Sequence, residues 1–391
     1  MQAKSVKTFF KKNTMIFALI AVIAFFYWKT GGTNLLPQNV NNLFAQQAYV
    51  FVLGTGMLCC ILTGGNIDLS VGSVVCFTGG IGAVLMDKDI HWLIAILIML
   101  AVGLAIGAFQ GFWIAYVSVP PFIATLAGMY AFRGLSNVVL QGLSVGVDNQ
   151  VFLDIFGGSA NCYVPDFIGK VGNLNMTCMV AGLIITALFV VLNVKTWITR
   201  KVKGYTNDSM IGELIKVIAI AAVILFLTWK LAKFKGIPMV VIWILTVLLI
   251  YNYITQRTAI GRYLYAVGGN RKATELSGVN TKRVFFIAYA NMGLLAGFAG
   301  ILTLARSGQG NPTFGQGYEM DAIAACFIGG ASAYGGIGAV SGTVIGALLL
   351  GVINQGMSIM TPPISTNYQS VVKGLVLLVA VLFDVVSKKK E

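Results

Sequence analysis

The chain has 391 residues, of which 57% are hydrophobic and only 10% charged, with 27 Lys and Arg against 13 Asp and Glu for a net charge of +14. Soluble domains carry about 25% charged residues, so this chain lacks the polar surface to clothe a water-exposed globule, and its apolar content excludes disorder. Six cysteines in so long a chain exclude a disulfide scaffold, and the positive surplus acquires meaning only from its positions.

A hydrocarbon core of ~30 Å takes about 20 apolar residues as a helix. Such runs lie near 14–30, 43–63, 68–86, 92–117, 121–140, 174–194, 211–231, 237–254, 284–304, 320–335, 338–358 and 369–387. They predict an all-α, polytopic membrane protein of 10–12 spans, one integral membrane domain over 1–391. The run at 320–335 is short and glycine-broken, and is either a half-span or a full crossing. Strand-type alternation is absent, which argues against a barrel. The first run follows a basic stretch, yet Trp28-Lys29-Thr30 and no small-x-small site comes after it, so an uncleaved helix is expected.

Placing these spans in order sorts the basic residues by side. Lys4, Lys7, Lys11 and Lys12, then Lys195, Arg200, Lys201 and Lys203, fall on one face with Arg257, Arg262, Arg271, Lys272, Lys282, Arg283, Lys388, Lys389 and Lys390. Both termini are therefore expected in the cytoplasm. Lys88, Lys170 and Arg306 fall opposite, and the turn Lys230–Lys235 violates the pattern. The charge is chiefly an orientation signal, and nucleic acid is not an expected partner.

Cys59, Cys60, Cys76, Cys178 and Cys326 lie within spans and Cys162 in an outer loop. They are expected as small packing residues, and a Cys162–Cys178 bridge is disfavoured. The one histidine, His91, sits beside Trp92 at a span end, as an interfacial anchor would. With no Cys/His cluster and no G-x-x-x-x-G-K-[ST], neither a transition-metal site nor a P-loop is expected, and no cofactor. Glycine, 46 residues, recurs at spacings of four: Gly103, Gly107 and Gly111; Gly293 and Gly297; Gly338, Gly342 and Gly346. Such small-xxx-small faces bring helix backbones together in lipid.

Two acidic residues open small-residue segments at predicted helix starts: Asp68-Leu69-Ser70-Val71-Gly72-Ser73 and Asp321-Ala322-Ile323-Ala324-Ala325. Each carboxylate is read as an N-cap satisfying orphan N–H groups, or as a pathway element, since charge at a span is costly. The first segment enters from the cytoplasmic side and the second from outside, which would fit an inverted repeat. Arg133 and Lys373 are the deepest basic residues, with no mid-span acid beside either in sequence. The basic inner loop 255–283 carries Gly268-Gly269-Asn270 and Ala273-Thr274-Glu275-Leu276-Ser277-Gly278, where a short helix from about 271 to 277 ending at Gly278 is predicted. A helix between two glycine turns exceeds what topology needs and suits docking into a partner's cleft.

At these residues the chain resembles the permease subunits of bacterial ABC importers for monosaccharides, the ribose, xylose, arabinose and galactose group. The matching motifs are Asn66-Ile67-Asp68-Leu69-Ser70-Val71-Gly72-Ser73, Pro121-Phe122-Ile123-Ala124-Thr125-Leu126-Ala127-Gly128, Gly261-Arg262-Tyr263-Leu264-Tyr265-Ala266-Val267-Gly268-Gly269-Asn270, Leu276-Ser277-Gly278-Val279-Asn280 and Tyr318-Glu319-Met320-Asp321-Ala322-Ile323-Ala324-Ala325. They run from about residue 40 to the end. Asn66 stands where the family often has Gly, and 174–231 adds two spans to the shorter ribose-type layout, as in xylose-type members.

The resemblance implies a non-catalytic subunit of the bacterial inner membrane that forms the pathway, as a homodimer, for a sugar delivered by an external binding protein. It implies a separate ATPase subunit with two ATP-binding domains. The loop 255–283 then resembles the coupling segment, with Gly268, Gly269, Asn270, Ala273, Glu275, Ser277 and Gly278 as contacts, while Asn66, Asp68, Ser70 and Asp321 resemble gate or pathway elements. The alternatives are a related permease for nucleosides or branched-chain amino acids, an ion-coupled secondary transporter and an intramembrane hydrolase. The last would need a nucleophile with a base or metal, which one interfacial histidine does not provide.

Overall fold

The computed structural model describes residues 14–158, 161–203 and 210–388. Lys4, Lys7, Lys11, Lys12, Lys389 and Lys390, and the side chains of Arg200 and Lys388, lie outside this description. Fifteen α-helices make up nearly all the regular structure among the described residues: α1 (Thr14–Lys29), α2 (Pro37–Leu62), α3 (Val71–Asp87), α4 (Trp92–Ala115), α5 (Pro121–Leu140), α6 (Gln150–Phe156), α7 (Met176–Val202), α8 (Met210–Ala232), α9 (Met239–Arg257), α10 (Ala259–Gly269), α11 (Arg271–Leu276), α12 (Thr281–Ser307), α13 (Tyr318–Ile328), α14 (Val340–Ile359) and α15 (Thr366–Lys388). By length and composition α2, α4, α5, α7, α9, α12 and α14 suffice to cross a membrane, and α1, α3, α8 and α15 are shorter apolar helices. The predicted polytopic all-α class holds.

The run predicted at 320–335 is helical only as α13, whose 11 residues reach about 16 Å at 1.5 Å per residue, half of a hydrocarbon core of ~30 Å. Gly329 and Gly330 end it, so as a helix this run has the length of a half-span. The predicted start at Asp68 also moves, because α3 begins at Val71 with Ser70 as its N-cap.

Termini follow local chemistry. The Asn280 side chain accepts from the Arg283 amide to start α12, Asn175 caps α7 through the Cys178 amide, and Pro121 opens α5 at a position where a missing N–H costs nothing. His91 caps α4 by accepting from the Leu93 amide at 3.3 Å and stacks on Trp92. All six cysteines are buried and unbridged.

The chain divides into two compact units. The first takes in the described residues of Met1–Asn34, Leu43–Cys162 and Val240–Glu391. Its core lies along α2 and α12: 83% and 72% of their apolar stretches are buried, against 28% for α4 and 17% for α5, so the first two are central and α4 and α5 lie toward the outside. Its largest helix contact is α4 on α12. There Gly103 and Gly107 face Gly293 and Gly297 so closely that a Cβ on Gly107 would stand 2.8 Å from Gly293 Cα. A two-residue ladder, β1 (Val145–Gly146) against β4 (Gln309–Gly310), is antiparallel.

The second unit comprises Leu35–Asn42 and the described part of Tyr163–Met239. In it α7 packs on α8, with Gly182 against Thr228, and a hairpin pairs β2 (Lys170–Val171) with β3 (Leu174–Asn175). The lysines that break the charge pattern have aromatic partners here. Lys233 lies 3.9 Å and Lys230 5.3 Å from the Trp229 ring, and Lys235 lies 5.5 Å from Tyr163, a cation–π arrangement.

The α4–α12 crossing has a direct test. Gly293→Val should lower stability by about 1–3 kcal/mol or more, read as a fall in thermal midpoint of the detergent-solubilised chain. Gly134→Ala, where an added Cβ meets nothing within 4 Å, should leave the midpoint unchanged or raise it.

Candidate functional site

Asp68 and Ser70 form a buried cluster. The Ser70 amide and hydroxyl both donate to Asp68 Oδ1, at 2.9 and 2.6 Å. Gln110 of α4 places its amide oxygen 3.0 Å from that hydroxyl. A hydroxyl has one proton, so the Gln110 amide turned by half a rotation, with Nε2 donating to Ser70, serves both groups. It also gives a partner to Gln110 Nε2, otherwise a buried donor without one. Asp68 is thus not the N-cap itself; it fixes the capping residue two positions on. Tyr289 of α12 donates to the Ile67 carbonyl at 3.4 Å, so the segment is held from α4 and α12 together.

Asn66 lies on the other side of this segment. Its side chain donates to Thr63 Oγ1 at 3.2 Å, and it lines a cavity of about 370 Å³ together with Gly268, Gly269 and Asn270. The tertiary structure therefore joins the first motif to three residues of the 255–283 loop. The contact is backbone to backbone: a Cβ on Gly268 would collide with the Leu62 carbonyl oxygen, and the Gly336 amide donates to that same oxygen at 3.1 Å. The ends of α2 and α10 and the loop 329–339 meet at this point.

From there α11 projects. Asn270 ends α10 and caps α11, its Oδ1 accepting from the Ala273 amide at 3.0 Å. Thr274, the buried residue of α11, ties it back by donating to the Ala266 and Asn270 carbonyls, each at 2.8 Å. Ala273, Glu275, Ser277 and Gly278 are exposed, and Gly278, at φ +84°, turns the chain in the left-handed region that glycine favours. Leu276, not among the predicted contacts, is 82% exposed. An apolar side chain held out on a short, anchored helix is the signal that would have marked it.

Asp321 stands elsewhere, in the first turn of α13 and almost fully buried. Lys373 of α15 pairs with it at 2.9 Å to Oδ1 and 3.0 Å to Oδ2, and Tyr49 donates to Oδ2 at 2.6 Å. Tyr49 is halfway along α2, so the pair lies at mid-helix depth. The acid that the sequence does not show beside Lys373 is supplied by a helix 52 residues away. Arg133 donates to the carbonyls of Pro312 and Phe314, at 3.2 and 2.5 Å, and pins the segment that leads into α13. Tyr49 and Gln110 are the site residues that the sequence left out, whereas Lys373 stood out as a deep base without its partner; Gln110, a polar residue inside an apolar run, carried the clearest signal.

Among the described residues, seven helices long and apolar enough to cross a membrane, buried polar clusters and a projecting basic helix fit a membrane permease. The model for the family of branched-chain amino acid transport system permease components matches residues 171–381. The xylose transport system permease protein of Escherichia coli strain K12 is 36% identical over 378 residues, covering 96% of this chain and 92% of that one. The corresponding xylose protein of Haemophilus influenzae is 35% identical over 380 residues, covering 96% of each chain. The ribose import permease protein of E. coli K12 is 32% identical over 380, covering 97% and 95%. No solved structure matches the chain. The chain belongs to this family of ABC-transport permeases, the non-catalytic membrane subunits that work with a separate ATPase and a substrate-binding protein.

The ion pair has its own prediction. Lys373→Met strands a buried carboxylate and should destabilise the chain by about 3 kcal/mol, seen as a lower thermal midpoint. Adding Asp321→Asn should restore most of the loss.

Proposed function

We propose that the chain forms the pathway of an ATP-driven importer for a monosaccharide, working as a homodimer in the bacterial inner membrane with both termini in the cytoplasm. The observation that carries the mechanism is the shared cavity of Asn66 and Gly268–Asn270 beneath the projecting α11. In this reading α11 seats in the ATPase, with Ala273, Glu275, Ser277 and Gly278 at the contact and Leu276 as its apolar anchor. A shift of α11 passes through Gly268 to Leu62, and through Gly269 to Gly336, because backbones touch there without intervening side chains, and Asn66 faces the same cavity. Asp68 and Ser70 hold the moving segment in register, and Asp321 steadies α13 beside the pathway.

Sugar is favoured over amino acid as cargo because the relatives that match along the whole chain are named for xylose and ribose, and because the chain shares the first and last motifs of sugar permeases. The Asp321–Lys373 pair supports one competing reading, since a mid-depth acid and base are what an ion-coupled transporter uses. Uptake by vesicles that hold the chain, its ATPase and its loaded binding protein separates the two. With ATP supplied and the proton gradient collapsed, uptake should persist, and its loss would favour ion coupling.

Docking is tested on its own. Leu276→Asp removes a contact worth about 1.5–3 kcal/mol when buried and should weaken co-purification of the ATPase tenfold or more, with membrane insertion intact. Unchanged co-purification would put the docking surface elsewhere.

A further inference from the structure

Beside Asp321 lies a second cavity, of about 200 Å³, which the coupling route does not use. One wall is a stack of Tyr49 on Tyr318, ring centroids 3.5 Å apart at 12°. Thr303, Arg306 and Ser307 line it from the last turns of α12. The Tyr49 hydroxyl is committed to Asp321, so that ring offers the space its apolar body. Ser307 gives its proton to backbone carbonyls, the shortest contacts being 2.8 Å to Thr303 and Gln309, which leaves its oxygen as an acceptor.

Arg306 is the unspent group. A guanidinium has five N–H donors in a planar fork, and here its hydrogen bond is a 3.5 Å contact to the Gln46 carbonyl. Among the described residues no carboxylate pairs with it; Asp321 is already held by Lys373. A cavity with a free fork of donors, a hydroxyl acceptor and an aromatic wall suits a small molecule that has hydroxyls on one side and C–H bonds on the other.

The geometry points to a resting subsite for a neutral polyhydroxylated solute, a single monosaccharide, held by the Arg306 fork and Ser307 with its C–H face on the Tyr49–Tyr318 stack. This subsite rests on the sugar reading above and places a stopping point for cargo beside Asp321.

Saturation-transfer NMR of D-xylose and D-ribose with the full chain in detergent tests it, alongside sugar moved per ATP hydrolysed in vesicles of the complete transporter. The native chain should transfer saturation to the sugar ring protons. Arg306→Lys, which keeps the charge and removes the fork, and Tyr318→Leu should each weaken binding about tenfold and lower the sugar moved per ATP. Both variants must elute as the native chain does, and Arg306→Lys, outside the aromatic stack, decides the matter if Tyr318→Leu misfolds. Unchanged signal and stoichiometry in Arg306→Lys would overturn the subsite while leaving the sugar reading standing, as would tighter binding of xylonate than of xylose. A native transporter that takes up none of xylose, ribose, arabinose and galactose would overturn the sugar reading, and the subsite with it.

Discussion

The approach of α4 to α12 sets the rest of the first unit. In lipid there is no hydrophobic drive between helices, so association depends on van der Waals contact and on how near backbones can come. Gly103 and Gly107 on one helix meet Gly293 and Gly297 on the other at near-backbone distance. Gln110 lies on α4 between Gly107 and Gly111, and Tyr289 lies on α12 one turn before Gly293. The crossing that closes the glycine faces therefore also delivers the Gln110 amide to Ser70 and the Tyr289 hydroxyl to Ile67. A side chain large enough to part the helices would pull both from the Asp68 segment.

The same economy of side chains recurs where the segment ends. Leu62, Gly268 and Gly336 meet through their backbones, and a contact without flexible side chains transmits displacement rather than absorbing it. This makes the junction a mechanical link, on the proposed reading, between a helix that meets the ATPase and a segment that borders the pathway. Thr274 and Asn270 stiffen the projecting end by filling the N–H and C=O groups that two short helices would leave open.

The two aspartates, similar as sequence motifs, have different physical roles. Asp68 is satisfied by hydroxyl and amide donors from its own turn. Asp321 is satisfied by a lysine and a tyrosine from distant helices. A buried pair of this kind is weak ground for stability, because desolvation offsets much of the attraction. Its value is in fixing α13, which is too short to be held by length in the bilayer, against α2 and α15.

The membrane class, the positions of the long helices, the glycine faces, a short helix from about 271 to 277 and the family motifs were legible in the sequence. Each depends on residues near one another along the chain: apolar runs long enough to span, spacings of four, a glycine after a turn of helix. What the tertiary structure decided was pairing at a distance. Lys373 to Asp321, Gln110 to Ser70, Leu62 to Gly268, and the Arg306 cavity on the Tyr49–Tyr318 stack are set by which helices cross at which residue. That choice is made by the fit of small faces across many helices, and no local period in a single chain records it.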